Sequence, residues 1–388
     1  MNRLIDSNIL IPILERHANE VGYTPQMLAW GFAHMFAHWQ DAELRVFAAQ
    51  EIPGFDMRNL PVLLDADADL QQRSQIVPEP VTKKVLIVSA STVPSAVFQD
   101  VVLSLLAPVE VGLRPAQNLV PLFRELQAFI QLKTPKLAER LTIHETGHDE
   151  RALSELLGQY DLIVVSGSDA TIAHYRAIAD ATEPDCRPRI VAHGHKFSAI
   201  AIPADDFAAL TDKDLSAIAV DASVWDQTGC LSPKCVFVEA TPDASLAFAQ
   251  KLAQKLDETA ITLPAVPMDI AASAARNNGL RMAQFDGAQI IQSPNNGDRI
   301  VVFPPDTAFR PLLYPRTLSV YPVSDAIKSA MQLAPHGQAL GMREIPDDDV
   351  QKRLAPAGYN YFSRFGTMQD PPLSWFHDNI GTMRPFFA

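Results

Sequence analysis

The sequence predicts an α/β fold organised in two domains. Short unbroken aliphatic runs alternate along the chain with segments whose apolar residues recur at helical spacing. The chain has 388 residues, 47% of them hydrophobic and 20% charged, which is more than one ordinary core holds and has the balance of a globular protein. We expect a first domain over residues 1–220, a second over 221–345 and a C-terminal arm over 346–388. The arm packs on the first domain or on a partner subunit.

A helical segment precedes the first predicted strand. Between Pro25 and about Gln50, apolar residues recur at roughly helical spacing and are interleaved with polar ones. They are Leu28, Phe32, Met35, Phe36, Trp39, Leu44, Val46 and Phe47. This pattern predicts a helical lead-in to the first domain.

Aliphatic runs and amphipathic segments then alternate through the first domain. The predicted strands are Lys83–Val88, Glu110–Leu113, Leu141–His144 and Asp161–Val165. Helices are expected at 98–106, 121–131 and around 153–160. Strands without internal alternation, separated by amphipathic helices, indicate a parallel sheet covered on both faces, as in Rossmann-type dinucleotide-binding domains. No GxGxxG follows any of these strands, so the domain either binds no dinucleotide or binds one differently.

The second domain repeats the α/β pattern. Strands are expected at Val236–Glu239, near Ile300–Phe303 and near Leu318–Val323, with a helix that carries Leu246, Ala249, Leu252 and Leu256. The acidic run 347–349 is typical of a helix N-terminus.

Charge and cysteine content exclude several classes of protein. The net charge is −13 and no Lys/Arg cluster occurs, which argues against nucleic-acid binding. Three cysteines without CxxC or Cys/His spacing predict neither a disulfide framework nor a metal site, and they favour a reducing compartment. No segment reaches the roughly 18 apolar residues of a membrane helix, and the N-terminus lacks the apolar run of a secretory signal. We therefore expect a cytoplasmic protein without a membrane span.

Cys230 is the candidate nucleophile. It follows Gly229 in a short polar loop just before a predicted buried strand, a position that leaves a thiol accessible. The thiolate is the attacking species, and a glycine beside it lets a substrate approach the backbone closely. A buried, inert thiol is the alternative, and we expect it for Cys186, in a Pro-flanked loop, and for Cys235, within the strand.

The pattern Asp226-Gln227-x-x-Cys230-x-Ser232-Pro233 resembles the long-chain acyl-CoA reductase family. That family is typified by the reductase subunit of the bacterial luminescence fatty acid reductase complex and belongs to the aldehyde dehydrogenase superfamily. The resemblance covers about residues 85–380, because further landmarks follow the family's order. These are Val165-Ser166-Gly167-Ser168, Gly194-His195-Lys196 and the segment from Gly366-Thr367-Met368-Gln369-Asp370 to Trp375-x-His377-Asp378.

The resemblance implies an aldehyde dehydrogenase-like fold, whose Rossmann-type domain grips a dinucleotide without the glycine fingerprint. The cofactor-binding residues it implies are Ser89, Ser91, Arg114, Gly167, Ser168 and Gly194. Of these, Gly167 and Ser168 would face the nicotinamide half. Arg114 stands where the superfamily places a Lys at the adenosine ribose. A cation there suits a 2′-phosphate, so NADPH is favoured and NADH remains possible.

The resemblance also implies the reaction, which is reduction of an acyl thioester to an aldehyde. Cys230 would attack acyl-CoA or another acyl thioester, and hydride would reduce the acyl-enzyme. The implied catalytic group is Cys230 with Gln227 and Thr92, and the oxyanion donors would be the Cys230 N–H and the loop that contains Thr92. The family further implies a homo-oligomer and an acyl-activating enzyme as partner.

Two departures from the pattern bear on the chemistry. Ala192 occupies the slot in which hydrolytic superfamily members carry a Glu base, which favours reduction over oxidation to an acid. Thr92 stands where the family has Asn, and loss of an oxyanion donor costs roughly 10²-fold to 10³-fold in rate. The alternatives are therefore an acyl-transfer or aldehyde-oxidising enzyme that uses the same thiol, or a catalytically weak scaffold subunit. His377 and Asp378 form either an acid–base pair or a solvated turn.

Overall fold

The computed structural model describes residues 2–65, 67–147, 149–183, 186–295, 299–310 and 312–388. The chain folds into two compact units. The first consists of Met1–His195 together with Pro372–Ala388, and the second is Lys196–Pro371. Among the helices of these ranges, none combines the length and the apolar character needed to cross a bilayer.

The first unit contains ten α-helices and five strands within the described ranges. The helices are α1 Ser7–Val21, α2 Pro25–Ala37, α3 Asp41–Glu51, α4 Leu60–Leu63, α5 Leu70–Ile76, α6 Pro94–Ser104, α7 Val120–Lys133, α8 Pro135–Ala138, α9 Glu150–Leu157 and α10 Asp169–Asp180. The strands are β1 Lys84–Val88, β2 Glu110–Arg114, β3 Leu141–Ile143, β4 Leu162–Ser166 and β5 Arg189–His193. The predicted helical lead-in is confirmed as α2 and α3, and the four predicted strands are β1 to β4.

All five strands pair in parallel, in the order β3-β2-β1-β4-β5. β1 lies at the centre, where Val85 is level with Val111 of β2 and with Leu162 of β4. Four of its five residues are buried, because helices cover both faces of the sheet. The direction of strand addition reverses between β1 and β4, so the loops after these two strands diverge and open a crevice. This is the predicted Rossmann-type domain.

The last residues of the chain belong to the first unit and are held by carboxylates of α3. Glu51 accepts hydrogen bonds from the N–H groups of Thr382, Met383 and Arg384, at 2.8, 2.9 and 2.7 Å. Burial raises the pKa of Glu51, whereas these three bonds act in the opposite direction. Glu43 accepts from the Leu373 N–H at 3.2 Å. The segment 372–388 is thus tied down at both ends.

The second unit is built on a larger, mixed sheet. Its helices within the described ranges are α11 Ala204–Ala208, α12 Asp212–Asp221, α13 Pro242–Thr262, α14 Ile270–Phe285, α15 Ala326–Ala330 and α16 Asp348–Leu354. Its strands are β6 Phe197–Ile202, β7 Pro233–Val238, β8 Gln289–Gln292, β9 Ile300–Phe303, β10 Thr317–Pro322, β11 Gly337–Met342 and β12 Tyr361–Arg364. They run in the order β12-β11-β6-β7-β10-β9-β8, and only the β8–β9 pair is antiparallel among them.

The division of the chain differs from the predicted boundaries. The sequence analysis placed residues up to 220 in the first domain, but β6 pairs with β7 and β11 and therefore belongs to the second sheet. The predicted arm also divides, because β12 pairs with β11 and only 372–388 joins the first unit. Strand pairing determines both domain boundaries, and the residues of a strand do not reveal which strands it pairs with. The acidic run does begin a helix: the Asp347 carboxylate accepts from the Val350 N–H at 2.9 Å.

Candidate active site

Cys230 lies in the loop that leads into β7, and its side chain is partly accessible. The two other thiols have different surroundings. Cys186 is exposed, so the expectation of a buried thiol is wrong there, whereas Cys235 lies within β7 and is fully buried, as expected. Burial raises the pKa of Cys235 far above that of a free thiol, so this residue stays protonated. Cys230 is therefore the thiol that combines a defined loop with access to a substrate.

The loop begins with three consecutive residues in the left-handed region of backbone space. The φ angles of Trp225, Asp226 and Gln227 are 55°, 49° and 63°. Non-glycine residues rarely adopt this conformation, which costs roughly 1–3 kcal/mol each and is concentrated at functional sites. All three side chains are buried, so the surrounding packing holds the strained turn in place. We call residues 225–227 the left-handed turn.

A buried ion pair anchors the left-handed turn to β10. The Arg316 guanidinium donates to Asp226 Oδ2 at 2.8 Å, and the two side chains are 2% and 8% exposed. The Arg316 N–H also donates to the Asp226 carbonyl at 3.3 Å. In a buried setting each charge depends on the other, because either one alone would be left desolvated and unpaired.

The Gln227 side chain bridges the two ends of the loop. Its amide nitrogen donates to the Pro233 carbonyl at 2.7 Å, and its amide oxygen accepts from the Thr317 N–H at 2.6 Å. Both partners are backbone groups at the start of strands β7 and β10. The amide therefore fixes the loop that carries Cys230, and its own hydrogen-bonding groups are already in use.

A lysine four residues after Cys230 is buried. Lys234, the second residue of β7, is 8% exposed, and its ammonium donates to the Gln227 carbonyl. Burial lowers the pKa of Lys234 to about 8, while the charge of Cys230 acts in the opposite direction. The Cys230 carbonyl accepts from the Ser198 hydroxyl at 2.7 Å, so the backbone on both sides of the thiol is fixed.

The C-terminal landmark reaches the Cys230 loop within the second unit. Gln369 donates to the Ser232 hydroxyl at 3.2 Å. Asp221, at the end of α12, accepts from the N–H groups of Gly366 and Met368 at 2.6 and 2.9 Å. Burial raises the pKa of Asp221 to about 8, against the effect of these two bonds. Two landmarks separated by more than a hundred residues thus form one structure.

The predicted cofactor residues lie at the carboxyl ends of strands in the first unit. Ser89 follows β1, and its N–H donates to the Arg114 carbonyl at 3.1 Å. The Ser89 hydroxyl is buried and has no hydrogen-bond partner among the described residues. Arg114 ends β2 and donates to the Gly147 carbonyl at 3.1 Å, while its Nε is equally unpartnered in that part of the chain. A hydrogen-bond donor of a ligand would satisfy the Ser89 hydroxyl, and a phosphate group would satisfy the Arg114 guanidinium.

The loops after β4 and β5 complete this edge. The Gly167 N–H donates to the His193 carbonyl at 3.1 Å, and a Cβ on Gly167 would lie 3.2 Å from Thr171. The Ser168 hydroxyl caps α10 by accepting from the Thr171 N–H at 3.2 Å. A Cβ on Gly194 would lie 3.1 Å from Asp169 Oδ1. The N-terminus of a twelve-residue helix so placed favours an anionic group.

The loop after β1 carries Ser91, which is exposed, and Thr92, which is half-buried. The Thr92 carbonyl accepts from the Tyr23 hydroxyl at 2.6 Å, so α1 and α2 are linked to this loop through the residue between them. Thr92 thus shares the first unit with the predicted cofactor residues, whereas Cys230 and Gln227 belong to the second.

The sequence analysis missed His193, the last residue of β5. Its Nδ1 lies 3.0 Å from Asp378 Oδ2, and its ring stacks on His377 with centroids 4.3 Å apart. The Asp378 side chain is only 11% exposed, so the solvated-turn interpretation is wrong. The charge of His193 also acts on Asp100, a residue of α6. Burial raises the pKa of Asp100 to about 6, and the charge of His193 acts in the opposite direction. The sequence feature that could have indicated His193 is its position directly after the aliphatic run Ile190–Ala192, at the end of a strand.

This cluster has the donor set of a metal site. Nitrogen and oxygen atoms of His193, His377 and Asp378 lie within 4.8 Å of one another. The planes of the two imidazoles are nearly parallel, with an interplanar angle of 3°. The arrangement observed is that of a histidine whose tautomer and orientation a carboxylate fixes.

The two sheets, the polar edge and the thiol loop define the aldehyde dehydrogenase class of fold. A NAD-dependent benzaldehyde dehydrogenase from Corynebacterium glutamicum is similar, with a TM-score of 0.59 and 14% identity over 99% of this chain and 87% of that chain. A succinic semialdehyde dehydrogenase from Streptococcus pyogenes, solved with NADP⁺, has a TM-score of 0.58 and 13% identity over 94% and 85%. Proline utilization A has a TM-score of 0.60 and 14% identity over 95% of this chain, which spans only 41% of that protein.

The chain belongs to the acyl-CoA reductase (LuxC) family, whose model matches residues 17–387. No curated protein matches the sequence. The family match and the fold confirm both the predicted fold class and the resemblance.

Proposed function

We propose that this protein is an NADPH-dependent acyl-thioester reductase that forms an aldehyde through an acyl-enzyme on Cys230. The observation that carries the proposal is the position of Cys230, an accessible thiol at the end of a strained turn that an ion pair and a glutamine amide hold in place. Such rigidity orients a nucleophile for attack on a bound carbonyl. Acyl-CoA is the expected substrate, and another acyl carrier is the alternative.

In the proposed reaction the Cys230 thiolate attacks the thioester carbonyl and the carrier leaves as a thiolate, which takes up a proton. NADPH, when bound, supplies the hydride that reduces the acyl group. The resulting thiohemiacetal on Cys230 collapses to the aldehyde and restores the thiolate. The backbone N–H of Cys230 and the Thr92 hydroxyl are the proposed donors to the oxyanion, and Gln227 acts by holding the loop.

Cofactor binding is proposed at the carboxyl edge of the first sheet. Two observations support the fit: the unpartnered Ser89 hydroxyl and the unpartnered Arg114 Nε among the described residues. In this proposal Ser89, Ser91 and Gly194 line the cofactor, Arg114 lies at the adenosine ribose, and Gly167 and Ser168 face the nicotinamide half. The guanidinium of Arg114 favours the 2′-phosphate of NADPH over the hydroxyl of NADH.

Ala192 supports reduction rather than oxidation. It occupies the slot of the hydrolytic base, and its methyl group can neither accept a proton nor activate water. The thioester on Cys230 would therefore persist until hydride arrives. Homo-oligomer formation and a partner that supplies the activated acyl group remain further proposals, which the family suggests.

The test is consumption of NADPH by the purified protein with acyl-CoAs from short to long chain. Cys230→Ala should abolish it, and Cys186→Ser, which removes an exposed thiol, should leave it unchanged. The product should be the aldehyde. Free acid as product would favour the aldehyde-oxidising alternative, and thioester exchange without NADPH consumption would favour acyl transfer. No turnover with any acyl thioester would favour the scaffold reading.

A further inference from the structure

We propose that Lys234 is the residue that keeps Cys230 in its reactive thiolate form, as the buried counter-ion of the thiolate. Lys234 is a positioning residue in this account because it acts through Cys230. The inference rests on the proposed role of Cys230 as nucleophile, but its test needs neither cofactor nor acyl substrate.

The first observation is the isolation of the Lys234 ammonium. The side chain is 8% exposed, and each of the six residues of β7 is buried. The ammonium donates to the Gln227 carbonyl, and no carboxylate of the described residues forms an ion pair with it. The adjacent Asp226 carboxylate is engaged by Arg316. A buried cation whose hydrogen-bond acceptor is one uncharged carbonyl is costly unless an anion lies nearby.

The second observation is that Cys230 is the titratable group whose charge acts on Lys234. Burial favours the neutral amine, and the negative charge of Cys230 favours the ammonium. The coupling is mutual, so the ammonium favours the thiolate by the same free energy. When Lys234 and Cys230 share a single proton, that proton can therefore reside on the Lys234 nitrogen, which leaves the Cys230 sulfur negatively charged. For Cys235, five residues further along the chain, burial alone acts, and it raises the pKa of the thiol.

The third observation is the left-handed turn itself. The carbonyl that receives the Lys234 ammonium belongs to Gln227, the last residue of that turn. The Gln227 amide in turn bridges Pro233 and Thr317. The strained backbone therefore directs the Gln227 carbonyl at Lys234. The hydrogen bond between them links Lys234 to the loop that carries Cys230. This gives the turn a chemical purpose beyond packing.

The proton count of the proposed reaction closes with this pair. Attack forms the carbon–sulfur bond to Cys230 and breaks the carbon–sulfur bond to the carrier, which leaves with the electron pair. Sulfur of Cys230 is then uncharged, so Lys234 loses its counter-charge and its proton is more readily released. The departing carrier thiolate takes up one proton. When the alkoxide of the thiohemiacetal collapses to the aldehyde, the thiolate returns to Cys230 and Lys234 regains its proton from solvent, so each turnover consumes one proton.

The experiment is alkylation of Cys230 by iodoacetamide as a function of pH, followed by intact mass, in a Cys186→Ser background. The protein with Lys234 unchanged should give a pH midpoint of alkylation clearly below roughly 8.5, the pKa of a free thiol. Lys234→Met should raise the midpoint by about one pH unit or more, which slows alkylation at pH 7 by about tenfold or more. Lys234→Arg, which keeps the charge, should restore much of the rate.

Thermal unfolding separates a chemical role from a structural one. The pKa of Lys234 is lowered to about 8 in the folded state, so the cost of its charge to stability is absent above the pKa of a free lysine, grows as pH falls toward 8 and is complete below about 8. Lys234→Met should therefore be at least as stable as the parent near pH 7, with a difference that shrinks at higher pH.

An identical alkylation profile in a folded Lys234→Met variant would overturn the inference. So would a parent midpoint at or above 8.5, which needs no variant. A lowered midpoint in a protein that consumes no NADPH with any acyl thioester would sustain the pair and refute the reductase.

Discussion

Two regions carry the proposed chemistry, and their polar atoms are used differently. At the carboxyl edge of the first sheet, the Ser89 hydroxyl and the Arg114 Nε have no hydrogen-bond partner among the described residues. In the loop before β7, Asp226 Oδ2, both ends of the Gln227 amide and the Lys234 ammonium are hydrogen-bonded within the protein, although Asp226 Oδ1 has no hydrogen-bond partner among the described residues. The first region offers its groups to a ligand, whereas the second uses them to hold one thiol.

This difference separates the consequences of mutation. Removing a group that has no partner in the folded protein costs little stability and is felt only when a ligand binds. Removing the Asp226 carboxylate or the Gln227 amide from the loop leaves a buried partner unpaired, so stability and thiol reactivity fall together, whereas removing the Lys234 ammonium affects reactivity without loss of stability near pH 7. The following variants test whether the two regions behave in this way.

The largest loss of stability is expected for Asp226→Asn. It leaves the Arg316 guanidinium buried with its charge uncompensated, which costs about 3–5 kcal/mol in the free energy of unfolding. Urea denaturation measures this. The matched control is Asp67→Asn, which removes an exposed ion pair with Arg3 and should leave the midpoint unchanged. Equal effects of the two changes would mean that the left-handed turn does not depend on its ion pair.

The next largest loss of stability is expected for Gln227→Leu. It leaves the Thr317 N–H and the Pro233 carbonyl buried without a partner, at roughly 1–3 kcal/mol per group. Alkylation of Cys230 should also slow, because the loop loses its bridge. Gln159→Leu, which removes an exposed amide that donates to Glu155, is the control in denaturation and alkylation. A stable variant with altered turnover alone would instead make Gln227 a catalytic residue.

Arg114→Met should change cofactor binding and lower stability little, because the hydrogen bond that it removes, to the Gly147 carbonyl, is exposed. Loss of a charge-assisted contact to the 2′-phosphate should weaken NADPH binding by about tenfold or more and NADH binding much less. Calorimetric titration of both cofactors gives the ratio. Arg124→Met removes a surface cation paired with Glu145 and controls for net charge. Equal losses for both cofactors would place Arg114 away from the 2′ position.

Ser89→Ala is expected to have the smallest effect. One neutral hydrogen bond is worth about 1 kcal/mol, so NADPH should bind roughly fivefold more weakly. The free energy of unfolding should not fall, since the hydroxyl has no partner to lose. Ser74→Ala, at an exposed position of α5, is the control. Destabilisation without weaker binding would remove Ser89 from the cofactor site.

The two regions also differ in how far the sequence predicts them. Strands β1, β2 and β4 are aliphatic runs, and in a parallel sheet their following residues must meet at one edge, so Ser89, Arg114 and Gly167 could be grouped in advance. The thiol was recognisable because the family pattern surrounds it. Prediction was possible where local periodicity or a contiguous motif carries the information.

Contacts between distant segments could not be predicted. β6 looks like any aliphatic strand, and only its pairing with β7 and β11 assigns it to the second unit. The burial of Lys234 depends on the strands on either side of β7. The interaction of His193 with Asp378 joins residues 185 positions apart, so neither residue reveals its partner locally.

The central claim is that the acyl group passes through Cys230. The most direct measurement is the intact mass of the protein after incubation with acyl-CoA alone, followed by peptide mapping and then by addition of NADPH. We predict one acyl group, located on Cys230, absent in Cys230→Ala and discharged as aldehyde when NADPH is added. An adduct on Cys186, an adduct that NADPH does not discharge, or turnover that survives in Cys230→Ala would contradict this account.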